Sequence, residues 1–296
     1  MIEERIVDVR ARLDARARAE RDDPAVGAEH GTRWHVGDAV ADCAVLLLHG
    51  FTNSPPQYDA LLPALVERGC AVVVPRLPYH GYRDRMTTAI ARLRTHHLTA
   101  AALDGVGLAA LCGRRVVVLG ISAGATLAGW LAARVDVDHA IAVAPFCGVR
   151  GIPGPLSDAT GALLRRFPNR FLWWDPRRKT QQSPPHAYPQ FPSRGLGEML
   201  GISTELVALD ETRGEHDADN AGAHARRCTL VLNARDPAVN NAHARRRFAR
   251  LREFGVAVDE VTLRGVPPIH DIVEPAISEA RTELVYPALL DMIAPR

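Results

Sequence analysis

The sequence lacks any long apolar run. No stretch approaches the roughly 18 uncharged apolar residues that a membrane-crossing helix needs. Residues 1–23 carry charges throughout, instead of the apolar run of about 7 residues or more that a signal peptide requires. We therefore expect a soluble, cytoplasmic protein without stable membrane association.

An excess of charge of one sign is also lacking. The 36 basic and 34 acidic side chains give a formal net charge of +2, which is too small to predict a nucleic acid partner. The cysteines are odd in number and widely spaced, which argues against a disulfide framework and against a zinc site. We expect reduced, buried thiols, no metal and no cofactor. The cysteines are Cys43, Cys70, Cys112, Cys147 and Cys228.

Short apolar runs alternate with helix-like segments along most of the chain, which is typical of an α/β protein with a mostly parallel central sheet. The N-terminal 23 residues have apolar positions at helical spacing in a charged segment, which predicts a surface helix. The predicted strands are 44–48, 71–74, 115–119, 139–143, 228–232 and 256–263. The further predicted helices are 58–68, 97–112, 122–134, 242–254 and 274–293.

The alternation breaks between about residues 147 and 219, where prolines cluster and no strand pattern is present. Aromatic residues also concentrate there, so this insertion is either an apolar lid over a pocket or a small cap packed on itself. We assign 1–32 to a helix and linker, 33–147 and 220–296 to an α/β core, and 148–219 to the cap or lid. Trp173 and Trp174 are its candidate substrate-binding residues.

A candidate nucleophile lies in the turn Gly120-Ile121-Ser122-Ala123-Gly124. The pattern is short, but a predicted strand precedes it and a predicted helix follows, which is the context in which it carries a nucleophile. Glycine at positions 120 and 124 lets strand and helix approach closely. The alternative is an ordinary glycine-rich turn with Ser122 as a helix cap.

Two possible partners of Ser122 follow later strands. A serine hydroxyl needs a base, and that base needs an orienting carboxylate. Asp236 follows strand 228–232 and His270 follows strand 256–263, so both lie at the strand ends where α/β sheets build sites. Asp236 could instead be a simple turn residue before Pro237, and His270 is one of 12 histidines.

Other acids compete with Asp236 for His270. Three lie in or beside the insertion, and Asp271 adjoins His270 along the chain, where adjacent side chains seldom face each other. We therefore rank Asp236 first. The rivals are Asp210, Asp217, Asp219 and Asp271.

Acyl transfer also needs donors for the developing oxyanion. The residue after the nucleophile supplies one, here the Ala123 N–H, and an early loop supplies the second. The loop His49-Gly50-Phe51 follows the first apolar strand, so the Phe51 N–H is the expected donor, and the Phe51 ring could wall the substrate pocket. His49 and His80 are interpreted as structural histidines.

Together these motifs resemble the α/β-hydrolase family over residues 33–293. They are His49-Gly50-Phe51, Leu77-Pro78-x-His80-Gly81, Gly120-x-Ser122-x-Gly124, Asp236 and His270. Within the family the chain is similar to bacterial carboxylesterases and monoacylglycerol lipases. The resemblance implies the α/β-hydrolase fold and a triad of Ser122, Asp236 and His270. The insertion matches no lid known to us.

The leading hypothesis is a hydrolase that cleaves carboxylic esters in a small-molecule acyl substrate. A thioesterase, acyltransferase or peptidase could use the same triad. Thioester or nucleotide substrates would favour a basic entrance, for which Arg83, Arg85 and the basic run 177–179 are candidates. A third possibility is a non-catalytic binding member of the fold. The sequence leaves the oligomeric state open.

Overall fold

A seven-stranded sheet forms the centre of the protein in a computed structural model, which describes residues 2–182, 184–206 and 224–295. The strands of this sheet are β1 (Arg33–His35), β2 (Ala41–Leu48), β3 (Ala71–Val74), β4 (Gly113–Ile121), β5 (His139–Val143), β8 (Arg227–Asn233) and β9 (Ala257–Leu263). Their order in the sheet is β1-β3-β2-β4-β5-β8-β9, with β1 antiparallel to β3 and every other pair parallel.

Helices cover both faces of the sheet. They are α1 (Ile2–Asp22), α2 (Leu61–Glu67), α3 (Thr95–Cys112), α4 (Ala123–Ala132), α5 (Gly154–Arg166), α6 (Ser193–Glu205), α7 (Asn241–Ala249) and α8 (Thr282–Ile293). Because successive side chains of a strand point to opposite faces, β2 divides its apolar run between two cores. Leu46 and Leu48 pack in the core with α1, α3, α4, α6 and α7, whereas Val45 and Leu47 pack in the core with α2 and α8. The predicted α/β fold with a mostly parallel sheet is confirmed.

The N-terminal helix α1 is present as predicted and is fastened to the core by one apolar stripe. Ile6, Val9 and Leu13 are at most 2% exposed, and Arg16 pairs with Asp104 of α3. Burying each such side chain stabilises the fold by about 2 kcal/mol. Helix α1 is therefore part of the packed structure and not a loose extension.

The segment after β5, in which the sequence shows no strand pattern, contains two short strands. Strands β6 (Phe171–Trp173) and β7 (Gln190–Pro192) form a separate antiparallel pair. Each is only three residues long and β7 ends in proline, so neither shows the alternation by which strands are recognised. Residues 207–219 of the proposed cap lie outside the described residues, and the domain boundaries stay a prediction.

Helix α6 ties this segment to the α/β core. Met199, Ile202 and Leu206 at its C-terminal half are buried in the same core as α3 and α4. The segment is therefore not packed only on itself.

Several predicted boundaries need correction. The last helix begins at Thr282 and not at 274, because Pro275 restricts the preceding backbone and residues 278–280 form a separate 3₁₀ turn. The predicted helix 242–254 is α7 followed by a 3₁₀ turn. The predicted helix 58–68 is the shorter α2, which is preceded by a 3₁₀ turn at Pro55–Tyr58. The antiparallel edge strand β1 was not predicted.

The five cysteines are free and buried, as predicted. Within residues 2–182, 184–206 and 224–295, no helix combines the length and apolar character that crossing a membrane requires.

Candidate active site

Ser122 occupies a sharp turn between β4 and α4. Its backbone has φ 57° and ψ −114°, a region that costs a non-glycine residue about 1–3 kcal/mol. The surrounding structure holds it there: the Ser122 N–H donates to the Val143 carbonyl at 2.9 Å, and its own carbonyl accepts from the Thr126 N–H at 3.0 Å. The hydroxyl is thereby presented at the carboxyl edge of the sheet, at the N-terminus of α4.

The two glycines of the turn are required by close backbone contacts. A Cβ at Gly120 would lie 2.1 Å from the Gly124 carbonyl oxygen, and a Cβ at Gly124 would lie 2.0 Å from the Leu48 carbonyl oxygen. Real Cβ atoms essentially never come within 3.0 Å of such atoms. At both positions the absence of a Cβ lets β4, α4 and β2 approach closely, which is the role that the sequence predicts for these glycines.

The three residues predicted to act together are brought into one hydrogen-bonded chain. His270 Nε2 lies 2.8 Å from Ser122 Oγ, and His270 Nδ1 lies 2.8 Å from Asp236 Oδ2. An ionised carboxylate can only accept, so Nδ1 carries the proton and Nε2 accepts from the serine hydroxyl. This is the arrangement that activates a serine for attack on an acyl group.

The charges in this chain stabilise each other. Burial favours the neutral form of His270, but the charge of Asp236 and the hydrogen bond to it outweigh burial and raise the pKa of the imidazole above 6.5. Burial also opposes ionisation of Asp236, but His270 and the N–H groups of Ala238 and Val239 together lower the pKa of its carboxyl. Those N–H groups donate to Oδ1 at 2.8 and 3.1 Å. Asp236 is therefore an ionised, fully buried orienting group.

Asp271, the rival acid beside His270, does not bind the imidazole. Its Oδ2 accepts from Gln57 Nε2 at 2.7 Å and from Asn53 Nδ2 at 3.2 Å. The other rivals, Asp210, Asp217 and Asp219, lie outside the described residues. Of the described acids that compete for His270, the structure selects Asp236.

The loop after β2, residues 49–54, lies against the nucleophile and is here called the Gly50 loop. His49 Nδ1 donates to the Gly50 carbonyl at 3.0 Å, and His49 Nε2 accepts from the Leu77 N–H at 3.1 Å. His80 Nδ1 lies 2.9 Å from the Pro78 carbonyl. Burial lowers the pKa of both imidazoles, that of His80 to about 4. The prediction that both are structural is confirmed by these backbone contacts.

The two predicted oxyanion donors are the backbone N–H groups of Phe51 and Ala123. In the part of the chain that the structure describes, neither the Phe51 N–H nor the Ala123 N–H donates to a protein acceptor. Ala123 is the first residue of α4, where the helix dipole also favours negative charge. Both residues line the same cavity as Ser122 and His270.

That cavity has a volume of about 460 Å³, within the usual range of about 300–1,000 Å³ for small-molecule sites. Trp174 lines it, and its Nε1 donates to Thr52 Oγ1 at 2.9 Å. Trp173, the last residue of β6, is not among the described residues that line the cavity. Of the two tryptophans named as candidate substrate-binding residues, only Trp174 therefore lies at the cavity. The apolar lining includes Phe51, Phe146, Trp174, Leu196, Met199 and Ile277.

One wall of the cavity comes from residues 184–189 of the insertion, to which the sequence assigned no individual site residue. The Tyr188 hydroxyl donates to the Tyr79 carbonyl at 3.1 Å and accepts from the Tyr82 N–H at 2.8 Å. Arg85 donates to four backbone carbonyls between residues 180 and 187. Its guanidinium is therefore a clamp on this wall and not the basic entrance considered above. In the sequence, only the proline-rich and aromatic composition of the insertion indicated that this segment could cover a pocket.

A comparison with family models agrees with this geometry. The model described as "Alpha/beta hydrolase family" matches residues 45–275, more than half of the chain. The chain belongs to the alpha/beta hydrolase family. The match spans the Gly50 loop, the Ser122 turn, Asp236 and His270.

One relative of this alpha/beta hydrolase is the thermostable monoacylglycerol lipase of Bacillus sp. (strain H-257). The two are 36% identical over 90 residues, which is 30% of this chain and 34% of that enzyme. The chain thus aligns with about a third of its relative's length.

Solved structures of lipolytic enzymes share the fold. A structure from the metagenome-derived enzymes LipS and LipT has a TM-score of 0.67 at 17% identity, covering 92% of this chain and 100% of that one. The monoglyceride lipase of Saccharomyces cerevisiae, solved with a substrate analogue, has a TM-score of 0.63 at 12% identity, covering 88% and 90%. The monoacylglycerol lipase of Paleococcus ferrophilus has a TM-score of 0.59 at 14% identity, covering 89% and 97%.

Proposed function

We propose that the protein is a serine hydrolase that cleaves carboxylic esters through an acyl-enzyme on Ser122. The observation that carries the proposal is the chain from Asp236 through His270 to Ser122 Oγ, with both distances at 2.8 Å. The serine end of this hydrogen-bonded chain lies beside the N–H groups of Phe51 and Ala123 in a mostly apolar cavity. A lipolytic activity in proteins of the same fold supports this choice of reaction.

In this mechanism His270 Nε2 takes the proton of Ser122 as Oγ attacks the ester carbon. The carbonyl oxygen becomes negative and is bound by the N–H groups of Phe51 and Ala123. Collapse of the tetrahedral intermediate expels the alcohol, which receives the proton from His270. Water then attacks the acyl-enzyme with His270 again as base, which releases the acid and restores the serine.

The cavity favours an ester with an aliphatic acyl group over a thioester of a charged carrier. Phe51, Trp174, Met199 and the other apolar side chains supply contacts for hydrocarbon. Arg85 is the cationic side chain of the lining, and its donors are directed at backbone carbonyls. We also propose that the segment carrying Trp174 and the wall 184–189 serves as the cap over this acyl site.

Covalent labelling tests the proposal directly. A fluorophosphonate probe should label the wild type, and Ser122→Ala should lose both the label and the hydrolysis of p-nitrophenyl butyrate. Ser278→Ala removes an exposed serine that does not line the cavity and is the matched control, expected to behave as wild type.

Two outcomes contradict the proposal. Label that survives Ser122→Ala points to another nucleophile. A folded wild type that takes no label is a non-catalytic member of the fold. A panel of p-nitrophenyl esters of increasing chain length, run beside acyl thioesters and aminoacyl amides, then separates the esterase from a thioesterase or peptidase.

A further inference from the structure

A buried polar cluster lies beside the Gly50 loop, and three of its members also line the cavity. None of them is a member of the triad. The cluster joins three chain segments and consists of Asn53, Gln57, His186, Asp271 and Glu274, here called the Asp271 cluster. Glu274 is 0% exposed and Gln57 is 1% exposed. A group of this polarity is stable in the interior only if its hydrogen bonds are satisfied in a definite arrangement.

The contacts of the cluster lead from Asp271 to the Gly50 loop. Gln57 Nε2 donates to Asp271 Oδ2 at 2.7 Å, and Gln57 Oε1 accepts from the Gly50 N–H at 2.8 Å. Asn53 Nδ2 donates to both carboxyl groups, at 3.2 Å to Asp271 and 3.3 Å to Glu274. Asp271 Oδ2 thus holds the loop at two points, at Asn53 directly and at Gly50 by way of Gln57.

The Gln57 amide has one donating end and one accepting end, so its bond to Asp271 determines which end faces Gly50. The reverse orientation would direct an NH₂ group at the Gly50 N–H and lose that bond. A Cβ placed on Gly50 would lie 3.7 Å from the Gln57 amide and 3.7 Å from Ser122 Cβ. Gly50 therefore lies between this amide and the nucleophile, directly before the Phe51 N–H.

The other carboxyl oxygen of Asp271, Oδ1, can carry a proton without disturbing the contacts that Oδ2 makes to the loop. Burial and the neighbouring Glu274 carboxyl raise the pKa of Asp271 to about 7. Asp271 Oδ1 is buried and has no hydrogen-bond partner within the described ranges 2–182, 184–206 and 224–295. A proton on Oδ1 leaves Oδ2 free to accept from both Gln57 and Asn53, so a neutral acid supports the loop as well. A carboxamide at this position can therefore do the same.

We propose that Asp271 is a positioning residue for the oxyanion hole: through Gln57 it holds the Gly50–Phe51 peptide so that the Phe51 N–H meets the developing oxyanion. The inference rests on the proposed esterase function. It predicts a larger effect on the transition state than on substrate binding, because the Phe51 N–H meets a negatively charged oxygen only after Ser122 has attacked the ester. A displacement of about 1 Å at such a donor reduces the rate by about 100-fold.

The test compares Asp271→Ala, Asp271→Asn and Gln57→Leu by kcat and KM for p-nitrophenyl butyrate and by the inhibition constant of an alkylboronic acid, which forms a tetrahedral adduct with the serine. We expect Asp271→Ala to lower kcat by about 100-fold and to weaken boronate inhibition by a similar factor, with KM within about twofold of wild type. Asp271→Asn should retain kcat within about fivefold, because the carboxamide oxygen replaces Oδ2.

Gln57→Leu should match Asp271→Ala, and the double variant should lose no more than either, since both act through one contact chain. Asp136→Ala, at an exposed aspartate, is the matched control and should behave as wild type. The melting temperature of each variant identifies any loss of fold.

The proposal is overturned if Asp271→Ala or Gln57→Leu is folded and keeps kcat and boronate affinity. It is equally overturned if KM alone rises, or if Asp271→Asn is as impaired as Asp271→Ala. These results leave the proposed function intact as long as Ser122→Ala is inactive. Activity that survives Ser122→Ala contradicts the proposed function itself.

Discussion

The closest backbone approach in the active site gives a sharp prediction for Gly124→Ala. The added Cβ would lie 2.0 Å from the Leu48 carbonyl oxygen, 2.6 Å from the Leu48 carbonyl carbon and 2.8 Å from the His49 carbonyl oxygen. Reaching even 3.0 Å requires α4 and β2 to separate by about 1 Å, and all three contacts are to backbone atoms.

That displacement has two measurable consequences. Overpacking of this kind costs about 1–3 kcal/mol, which lowers the melting temperature of a domain this large by roughly 5 °C. It also moves Ser122 relative to the Gly50 loop, for which we expect kcat/KM to fall by about 100-fold. Thermal unfolding followed by circular dichroism and hydrolysis of p-nitrophenyl butyrate measure the two effects.

Gly107→Ala is the matched control. Gly107 lies inside α3, and a Cβ there meets nothing within 4 Å. Alanine at a helical position of this kind stabilises by about 0.5–1 kcal/mol, so this variant should melt slightly higher and keep wild-type activity. If Gly124→Ala keeps wild-type stability and activity, the close strand–helix contact that we assign to the Ser122 turn is incorrect.

Further predictions concern the triad and the N-terminal helix. Asp236→Asn should lower kcat by about 10⁴-fold for p-nitrophenyl butyrate, because the amide cannot stabilise the imidazolium and favours the other tautomer; an unchanged kcat would assign another acid to His270. In wild type, kcat/KM measured from about pH 5 to about pH 9 should rise with pH through a pKa above 6.5, since only neutral His270 accepts the serine proton. An inflection below 6.5 would contradict the raised pKa of His270. Leu13→Ala, at a side chain 0% exposed, should lower the free energy of unfolding in urea by about 3 kcal/mol while kcat stays unchanged, because α1 contributes no residue to the cavity. A loss below about 1 kcal/mol would show that α1 is not packed as described.

The features that the sequence predicted well are those whose signal is local. The strands at Ala71–Val74 and His139–Val143 have the predicted bounds, because continuous β-branched and apolar runs bounded by turns mark buried parallel strands. The hairpin of β6 and β7 was missed, because three-residue strands carry no period. The start of α8 was placed too early, because a 3₁₀ turn at 278–280 and the left-handed backbone of Arg281 (φ 51°) separate Glu274 from the helix. The apolar spacing does not reveal either feature.

The sequence alone determined Ser122, both glycines of its turn and the order of acid and base along the chain, since a strand, a tight turn and a helix are specified by neighbouring residues. The sequence also ranked Asp236 above Asp271, and the tertiary structure shows the hydrogen bond from His270 to Asp236. Only the tertiary structure placed Trp174 but not Trp173 at the cavity and joined Gln57 to Asp271 across 214 residues of sequence. The physical reason is that hydrogen bonds between distant segments depend on how loops from several strand ends meet at one edge of the sheet. The residue pattern within one segment contains no information about these contacts between distant loops.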